Sequence, residues 1–419
     1  MKTLTFDNGD TLPMLGLGTW KSEPGEVYKA VKSAIETGFR HIDCAHIYGN
    51  EEEIGQALSD VFAAGTVTRE ELWITSKLWN SDHAPDDVQP ALETTLRNLQ
   101  LNYLDLYLMH WPVALKPGVP FPKSADDMVS LKELPVETTW AAMEALVDNN
   151  QTRQIGVSNF SVKKLQDLLG KARYKPAMNQ IELHPYLQQN DMLAFCKEQG
   201  IALTGYSPLG SFDRPAGMKA DDEPVLLEDP VILEIADRHG ASPAQVLISW
   251  ALHRDTVVIP KSVNPERLKQ NLAAAELSLS DADMDAIRTL DKHRRYVDGG
   301  FWAQPGSDYT LELDSALTSK TGVAYSGENS FTLTPQDSTP RETLVLEAMA
   351  ADPSKDCGED GVMLSPLSGE PINCVPLIAK LLGDTTVSKL SGNVFAELAF
   401  VPDFPDATPL RISKGSLLK

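Results

Sequence analysis

Eight short apolar runs, each followed by an amphipathic stretch, constrain this chain more than any other feature of its sequence. The runs are LGLGTW, HIDCA, LWITSK, LDLYLMH, QIGVS, AMNQ, IALTGY and TVVIP. The stretches that follow them, such as EVYKAVKSAIETG, EEEIGQALSDVF, DDVQPALETTLRNL and NPERLKQNLAAA, repeat apolar residues at helical spacing, and DPVILEIADRHG supplies the seventh. Strand then helix implies parallel strands joined by right-handed crossovers, and eight such units favour closure into a (β/α)8 TIM barrel of the α/β class. The opening LTFDNGDTLP turns at Asn8-Gly9-Asp10 and predicts an N-terminal hairpin that plugs one end.

Polar residues fall in register with this pattern. Asp43, Lys77, His110, Ser158, Asn159, Gln180, Tyr206 and Lys261 sit at or just beyond the ends of successive strands. In a (β/α)8 barrel those ends share one face, where active sites lie.

From about residue 315 the alternation stops, and Thr, Ser, Gly and Pro separate short apolar runs such as FTLTP, TLVLEAM and NVFAELAFVP. The expectation is a barrel over 1–314 and a small, partly β appendage over 315–419. An interaction module, an oligomerisation element and a non-native extension all remain open for it, and its partner is unknown. The net charge of -22 argues against nucleic acid or an anionic membrane surface, which would be repelled. No segment reaches the roughly 18 apolar residues of a membrane helix, and the N-terminus has no export signal. Cys44, Cys196, Cys357 and Cys374 form no C-x-x-C pair, so free thiols in the cytoplasm and no metal framework are expected. A monomer is expected as well.

Reducing a carbonyl with hydride requires a proton donor, a group that tunes it and a site that polarises the carbonyl. Tyr48 can donate. Its phenol, ordinarily near 10, would be drawn down by the Lys77 ammonium, which stabilises phenolate. Asp43 can hold Lys77 charged, and His110 can hydrogen-bond the substrate oxygen. Singly, these residues read as an ion pair, an aromatic helix leader and a satisfied histidine. Four coincidences at one rim favour the catalytic reading.

The segments GFRHIDCAHIYGNEEEIG, LWITSKLW, LDLYLMHWP, IGVSNF, NQIELHPYLQQ, GYSPLGS and IPKSVNPERLKQN resemble the aldo-keto reductase superfamily, in the family's order, over about 1–312. The resemblance implies a catalytic tetrad of Asp43, Tyr48, Lys77 and His110, with Tyr48 the acid, and NADP(H) as cofactor. It implies that Ser158, Asn159 and Gln180 bind the nicotinamide carboxamide and that Tyr206 stacks on the ring. Thr19, Trp20 and Lys21 after the first strand, and Ser207, Leu209, Ser211 and Asp213 after the seventh, complete that end of the site. In relatives an aspartate matching Asp213 pairs across the cofactor with a lysine matching Lys21, and Gly210 and Gly217 are candidate hinges of that loop. Lys261, Ser262, Val263 and Arg267 match the adenosine 2'-phosphate site, with Asn271 near the adenine. Lys261 ends a strand and Arg267 lies in the first turn of a helix, whose N-terminus also attracts anions. The substrate is then a small carbonyl compound, an aldehyde or ketone and possibly an aldose. Trp20, Tyr48, Trp79, His110 and Trp111 would line its pocket, with Phe301 and Trp302 on a closing loop.

Two rival readings stand beside this one. His41-x-Asp43-x-x-His46 could ligate a metal in a barrel hydrolase, although Lys77 would then place a cation beside the metal. A cofactor-binding regulatory protein with little turnover is the other. Gly16-x-Gly18 lacks the third glycine of a dinucleotide fingerprint and argues for no Rossmann domain.

Overall fold

The computed structural model describes residues 2–297 except 216–217 and 220–222, together with 299, 302 and eight short strands after 308. Two compact units emerge, Met1–Phe121 with Asp127–Asp298, and Pro122–Asp126 with Gly299–Lys419.

The first unit is the (β/α)8 barrel. Its strands are β1 (Leu17–Gly18), β2 (His41–Asp43), β3 (Trp73–Leu78), β4 (Leu104–Met109), β5 (Thr152–Ser158), β6 (Met178–Glu182), β7 (Ala202–Tyr206) and β8 (Val257–Val258). They pair in parallel, each with its sequence neighbour. Parallel bridges Leu15 to Val258 and Gly18 to Lys261 join the last strand to the first. Here the two glycines are required: a Cβ on Gly16 would lie 2.6 Å from the His41 ring, and one on Gly18 2.7 Å from the Ile259 carbonyl oxygen. Close approach to β2 at Gly16 and across the barrel seam at Gly18 accounts for the G-x-G. β3 and β4 are buried at every position, because helices cover one face and the barrel interior the other. An antiparallel hairpin, Thr3–Thr5 with Thr11–Pro13, precedes the barrel.

Helices α1 (Glu26–Thr37), α2 (Glu51–Ala63), α3 (Pro85–Leu99), α4 (Val136–Asp148), α5 (Val162–Leu169) and α6 (Asn190–Gln199) follow β1 to β6 in turn. The spacing Val88, Leu92, Leu96 and Leu99 gives α3 its buried stripe, and Pro85 at its first position suits the helix start. Two helices differ from the sequence expectation. DPVILEIADRHG does form a helix, α7 (Pro230–His239), but α8 (Pro243–His253) is the one that packs on β8 and on α9 (Pro265–Ala273). Residues Val246–Leu252 of α8 are all buried, so the amphipathic alternation that marks a surface helix is missing from its sequence. The second, α10 (Asp281–Arg288), packs against α7 and opens with a Ser280–Asp283 capping box.

After 308 the described strands pair antiparallel, as in Tyr309–Glu312 with Ser330–Leu333. Gly217, Phe301, Leu313, Cys357 and Cys374 lie outside the described residues. Cys44 and Cys196 are buried free thiols. No helix of the described residues is long and apolar enough to cross a membrane.

Candidate active site

The C-terminal ends of β2, β3 and β4 bring three of the four chemistry-bearing residues together. Asp43 closes β2, Lys77 lies one residue from the end of β3, and His110 follows β4. Tyr48 comes from the single turn His46–Tyr48 between β2 and α2, which Gly49 terminates at φ 68. Lys77 Nζ donates to Asp43 Oδ2 at 2.6 Å, to the Cys44 carbonyl at 2.8 Å and to the Tyr48 hydroxyl at 3.4 Å. The other Asp43 oxygen accepts from Gln180 Nε2 at 2.8 Å, and the Thr19 hydroxyl donates to the Asp43 carbonyl. The Tyr48 and His110 rings meet edge to face with centroids 5.9 Å apart.

Lys77 is completely buried and Asp43 nearly so. Burial works against the Lys77 ammonium, but the Asp43 carboxylate and the Tyr48 oxygen outweigh it and raise Lys77 above the ordinary lysine value. For Tyr48 the outcome departs from the sequence expectation. Desolvation of the hydroxyl is the largest influence and pushes it up, and Lys77 offsets only part of that rise. Tyr48 is therefore a protonated donor at neutral pH. Burial, with Lys77 and His83 nearby, holds His110 well below its ordinary range, so its imidazole is neutral.

A second network joins the ends of β5, β6 and β7. Asn159 Nδ2 donates to the His110 carbonyl at 2.9 Å and to Ser158 Oγ at 3.1 Å, while its Oδ1 accepts from the Tyr206 hydroxyl at 2.8 Å. Ser158 Oγ donates to the Gln180 carbonyl. Ser158, Asn159 and Gln180 are thus wired to both Asp43 and His110. Backbone strain concentrates here as well. Of the nine described non-glycine residues with positive φ, four are Lys21 (61), Asn159 (64), Ser207 (51) and Ser211 (42), all expected cofactor contacts. Strain of this kind costs of the order of 1–3 kcal/mol per residue and persists where function holds it.

Lys21, after β1, donates to Asp213 Oδ1 at 2.7 Å, and Lys261, after β8, lies 3.7 Å from Asp213 Oδ2. The β7 loop is thereby tied across the barrel seam. Burial opposes ionisation of both Lys21 and Asp213; it leaves Lys21 lowered, whereas the Lys21 hydrogen bond still holds Asp213 below the usual carboxylate range. With the Asp213 side chain 56% exposed, the pair is worth at most about 1 kcal/mol. Ser207 and Ser211 share a hydroxyl hydrogen bond at 2.7 Å beside it, and Leu209 packs on the core. At α9, Asn264 caps the Glu266 and Arg267 amides, Ser262 Oγ accepts from the Asn264 amide, Arg267 and Val263 reach the surface, and Asn271 is buried.

The sequence pattern of the Aldo/keto reductase family matches residues 14–292. The chain belongs to the aldo/keto reductase family. It is 57% identical over 312 residues to Aldo/keto reductase slr0942 of Synechocystis sp., covering 74% of this chain and 95% of that one. Against Aldo-keto reductase family 1 member A1 of Homo sapiens, identity is 50% over 291 residues, covering 69% and 89%. The solved Aldose Reductase from Schistosoma japonicum superposes with a TM-score of 0.66 at 41% identity, covering 72% of this chain and 96% of that one. These relationships place the chain among oxidoreductases that reduce carbonyl groups.

In this aldo/keto reductase, Tyr48 and Trp79, two of the residues expected to wall a substrate pocket, stand against His110. Trp79 stands edge-on to the His110 ring at 5.1 Å, its Nε1 donates to the Pro120 carbonyl, and Trp111 is buried next to His110 in sequence. Trp20 lies under the Lys21 ammonium at 4.4 Å. Trp302 belongs to the second unit. Phe121 was not anticipated: it packs on Trp79 with centroids 5.4 Å apart and is half exposed. It comes from the proline-rich run PGVPFPK, where no periodicity marks a pocket residue. His41 and His46 diverge, the former to the Pro13 carbonyl and the latter toward Glu51. Among the described residues no group of three or more His, Cys, Asp or Glu side chains could hold a metal ion.

The donor set fits a phosphorylated dinucleotide. Lys21 and Lys261 supply cations at the seam, Arg267 adds an exposed one in the first turn of α9, and the Ser158–Asn159–Gln180 group offers amide and hydroxyl partners to a carboxamide.

Proposed function

We propose that the chain catalyses NADPH-dependent reduction of an aldehyde or ketone to the alcohol, with the proton supplied by Tyr48. The observation that carries this reading is Lys77 Nζ placed between the Asp43 carboxylate and the Tyr48 hydroxyl in a buried site. Bound nicotinamide supplies the hydride. Tyr48 donates its proton to the carbonyl oxygen as negative charge develops there, and Lys77 stabilises the phenolate left behind. Asp43 keeps Lys77 charged and aimed. Neutral His110 offers an N–H to the same oxygen and shapes the pocket that Trp20, Trp79, Trp111 and Phe121 wall with apolar surface. Ser158, Asn159 and Gln180 would hold the carboxamide of that cofactor, Tyr206 would support its ring, and Lys21 and Asp213 would lie on its phosphate side. A screen of NADPH oxidation by the full chain against aldehydes, aldoses, keto acids and simple ketones tests the reading. Oxidation with none of them, despite tight NADPH binding, would replace it with the regulatory one.

Cofactor choice is assigned to Lys261 and Arg267. Arg267→Ala is expected to weaken NADPH by roughly 10- to 100-fold and NADH much less, since only NADPH carries the 2'-phosphate that a guanidinium grips with paired hydrogen bonds. Titration of both cofactors by fluorescence checks this, and equal weakening would move the phosphate site elsewhere.

We assign the enzyme to 1–314 and treat 315–419 as dispensable for chemistry. Every proposed catalytic and cofactor residue lies in the first unit, whose sheet closes on itself and offers the tail no edge strand. A truncation ending at Leu313 is expected to bind NADPH with near-native affinity and to reduce an aldehyde, with Michaelis constants and substrate range free to change because Phe301 and Trp302 lie just upstream of the cut. A soluble, folded truncation that fails to bind cofactor would make the tail part of the enzyme.

A further inference from the structure

The Lys21–Asp213 pair, its carboxylate half exposed, is a weak fastening for a long loop, yet the residue beside Asp213 is almost completely enclosed. Arg214 is 2% exposed. Its Nε donates to the Met218 carbonyl at 3.0 Å, its Nη1 to the Ser211 carbonyl at 3.3 Å, and its Nη2 pairs with Glu223. The guanidinium lies 4.9 Å from the centre of the Tyr296 ring, in cation–π range.

Tyr296 does not belong to that loop. It lies beyond α10, on the segment that leaves the barrel, and that segment is held from below by β6. The fully buried carboxylate of Glu182, the last residue of β6, accepts from the Tyr296 amide at 2.6 Å and the Val297 amide at 2.8 Å, and it meets His184 Nε2 at 2.8 Å. The Lys292 and Arg294 amides donate to the Tyr186 carbonyl. Side-chain contacts then place the Tyr296 ring within the β7 loop at three points. A Cβ on Gly210, whose φ is +84, would lie 3.3 Å from Tyr296 Cε2. Arg214 covers the ring next to the latch. At the far end of the loop, the Tyr296 hydroxyl donates to the Pro224 carbonyl at 2.6 Å.

We infer that Arg214 and Tyr296 are positioning residues that couple the Asp213 latch to the post-barrel segment, so that a residue outside the cofactor site sets how fast the cofactor leaves. The physical reason lies in where the rigidity comes from. Asp213 is solvated and its ion pair is easily broken, whereas Arg214, one residue on, is anchored to a buried ring that Glu182 fixes to the barrel. With that ring removed, Arg214 loses its platform and the segment from Ser211 to Arg214 no longer presents Asp213 to Lys21 and Lys261. Gly210 then keeps only the Leu226 side of its wall.

The inference rests on the NADPH reading for its kinetic consequence but not for the coupling itself, and two measurements on the full chain separate them. Hydrogen exchange of the cofactor-free protein is expected to show faster exchange across residues 207–214 in Tyr296→Leu and Arg214→Met. Tyr296→Phe, which keeps the ring and loses only the bond to Pro224, should stay close to wild type. Stopped-flow NADPH release is expected to quicken by about tenfold in Tyr296→Leu, Arg214→Met and Asp213→Asn. Combining Tyr296→Leu with Asp213→Asn should fall short of the product of the single effects by at least about threefold, because the two act through one latch. Unchanged exchange in a folded Tyr296→Leu would overturn the coupling whatever the cofactor, and so would release rates that multiply. Faster exchange in a protein that binds no NADPH would uphold the coupling and sink the cofactor assignment instead.

Discussion

Tyr48→Phe is expected to lose two to four orders of magnitude in turnover while binding NADPH with near-native affinity. The substitution removes the one hydroxyl that Lys77 addresses and leaves the Ser158–Asn159–Gln180 network untouched. The size of the loss is that of a general acid. The pH profile of wild type carries a second expectation. Burial holds His110 neutral and raises Tyr48, so neither group changes protonation between about pH 6 and 8. Reduction should stay level there and decline only on the alkaline side, as the phenol ionises through its raised value. Steady-state rates with a reactive aldehyde check both statements. Near wild-type reduction by Tyr48→Phe would remove the tyrosine from the mechanism.

Lys77→Met is expected to damage both activity and stability. In the wild type the Lys77 ammonium and the Asp43 carboxylate share a buried site at 2.6 Å. Removing the cation leaves a buried carboxylate whose remaining side-chain partner is Gln180, and breaking such a pair costs about 3–5 kcal/mol. A melting temperature lower by several degrees should therefore accompany a loss of turnover comparable to that of Tyr48→Phe. The sign of the pH effect is also fixed. Lys77 lowers the Tyr48 value and Asp43 raises it, so losing Lys77 moves the phenol further up, and the alkaline decline of any residual rate moves to higher pH. Wild-type thermal stability with unchanged pH dependence would show that the pair is not what tunes Tyr48.

The rim residues were legible because strand ends are punctuated. Asp43, His110 and Ser158 each stand at a transition from an apolar run to a polar residue, and parallel strands in a barrel bring such transitions to one face, whereas Gln180 sits at the middle of its strand. Lys21 and Asp213 were paired from a resemblance alone, since 192 residues separate them and neither lies in a periodic element. Helix α8 was missed for the opposite reason: its sequence is apolar nearly all round, and periodicity cannot mark a face when every face is buried. Phe121 and Tyr296 lie on connecting segments, where a single aromatic gives no sign of what it touches.

The chain by itself therefore determined the number and order of the barrel strands, the barrel class, and the residue types that meet at its rim. Short-range chemistry decides these, because side-chain periodicity and strand-end polarity are written along the chain. Only the tertiary structure decided the sign of the Tyr48 shift, since desolvation depends on what surrounds the hydroxyl and outweighs the neighbouring ammonium. Only the tertiary structure, too, set Tyr296 between Glu182, Gly210 and Arg214, because contacts among residues that distant arise from packing, which no local pattern encodes.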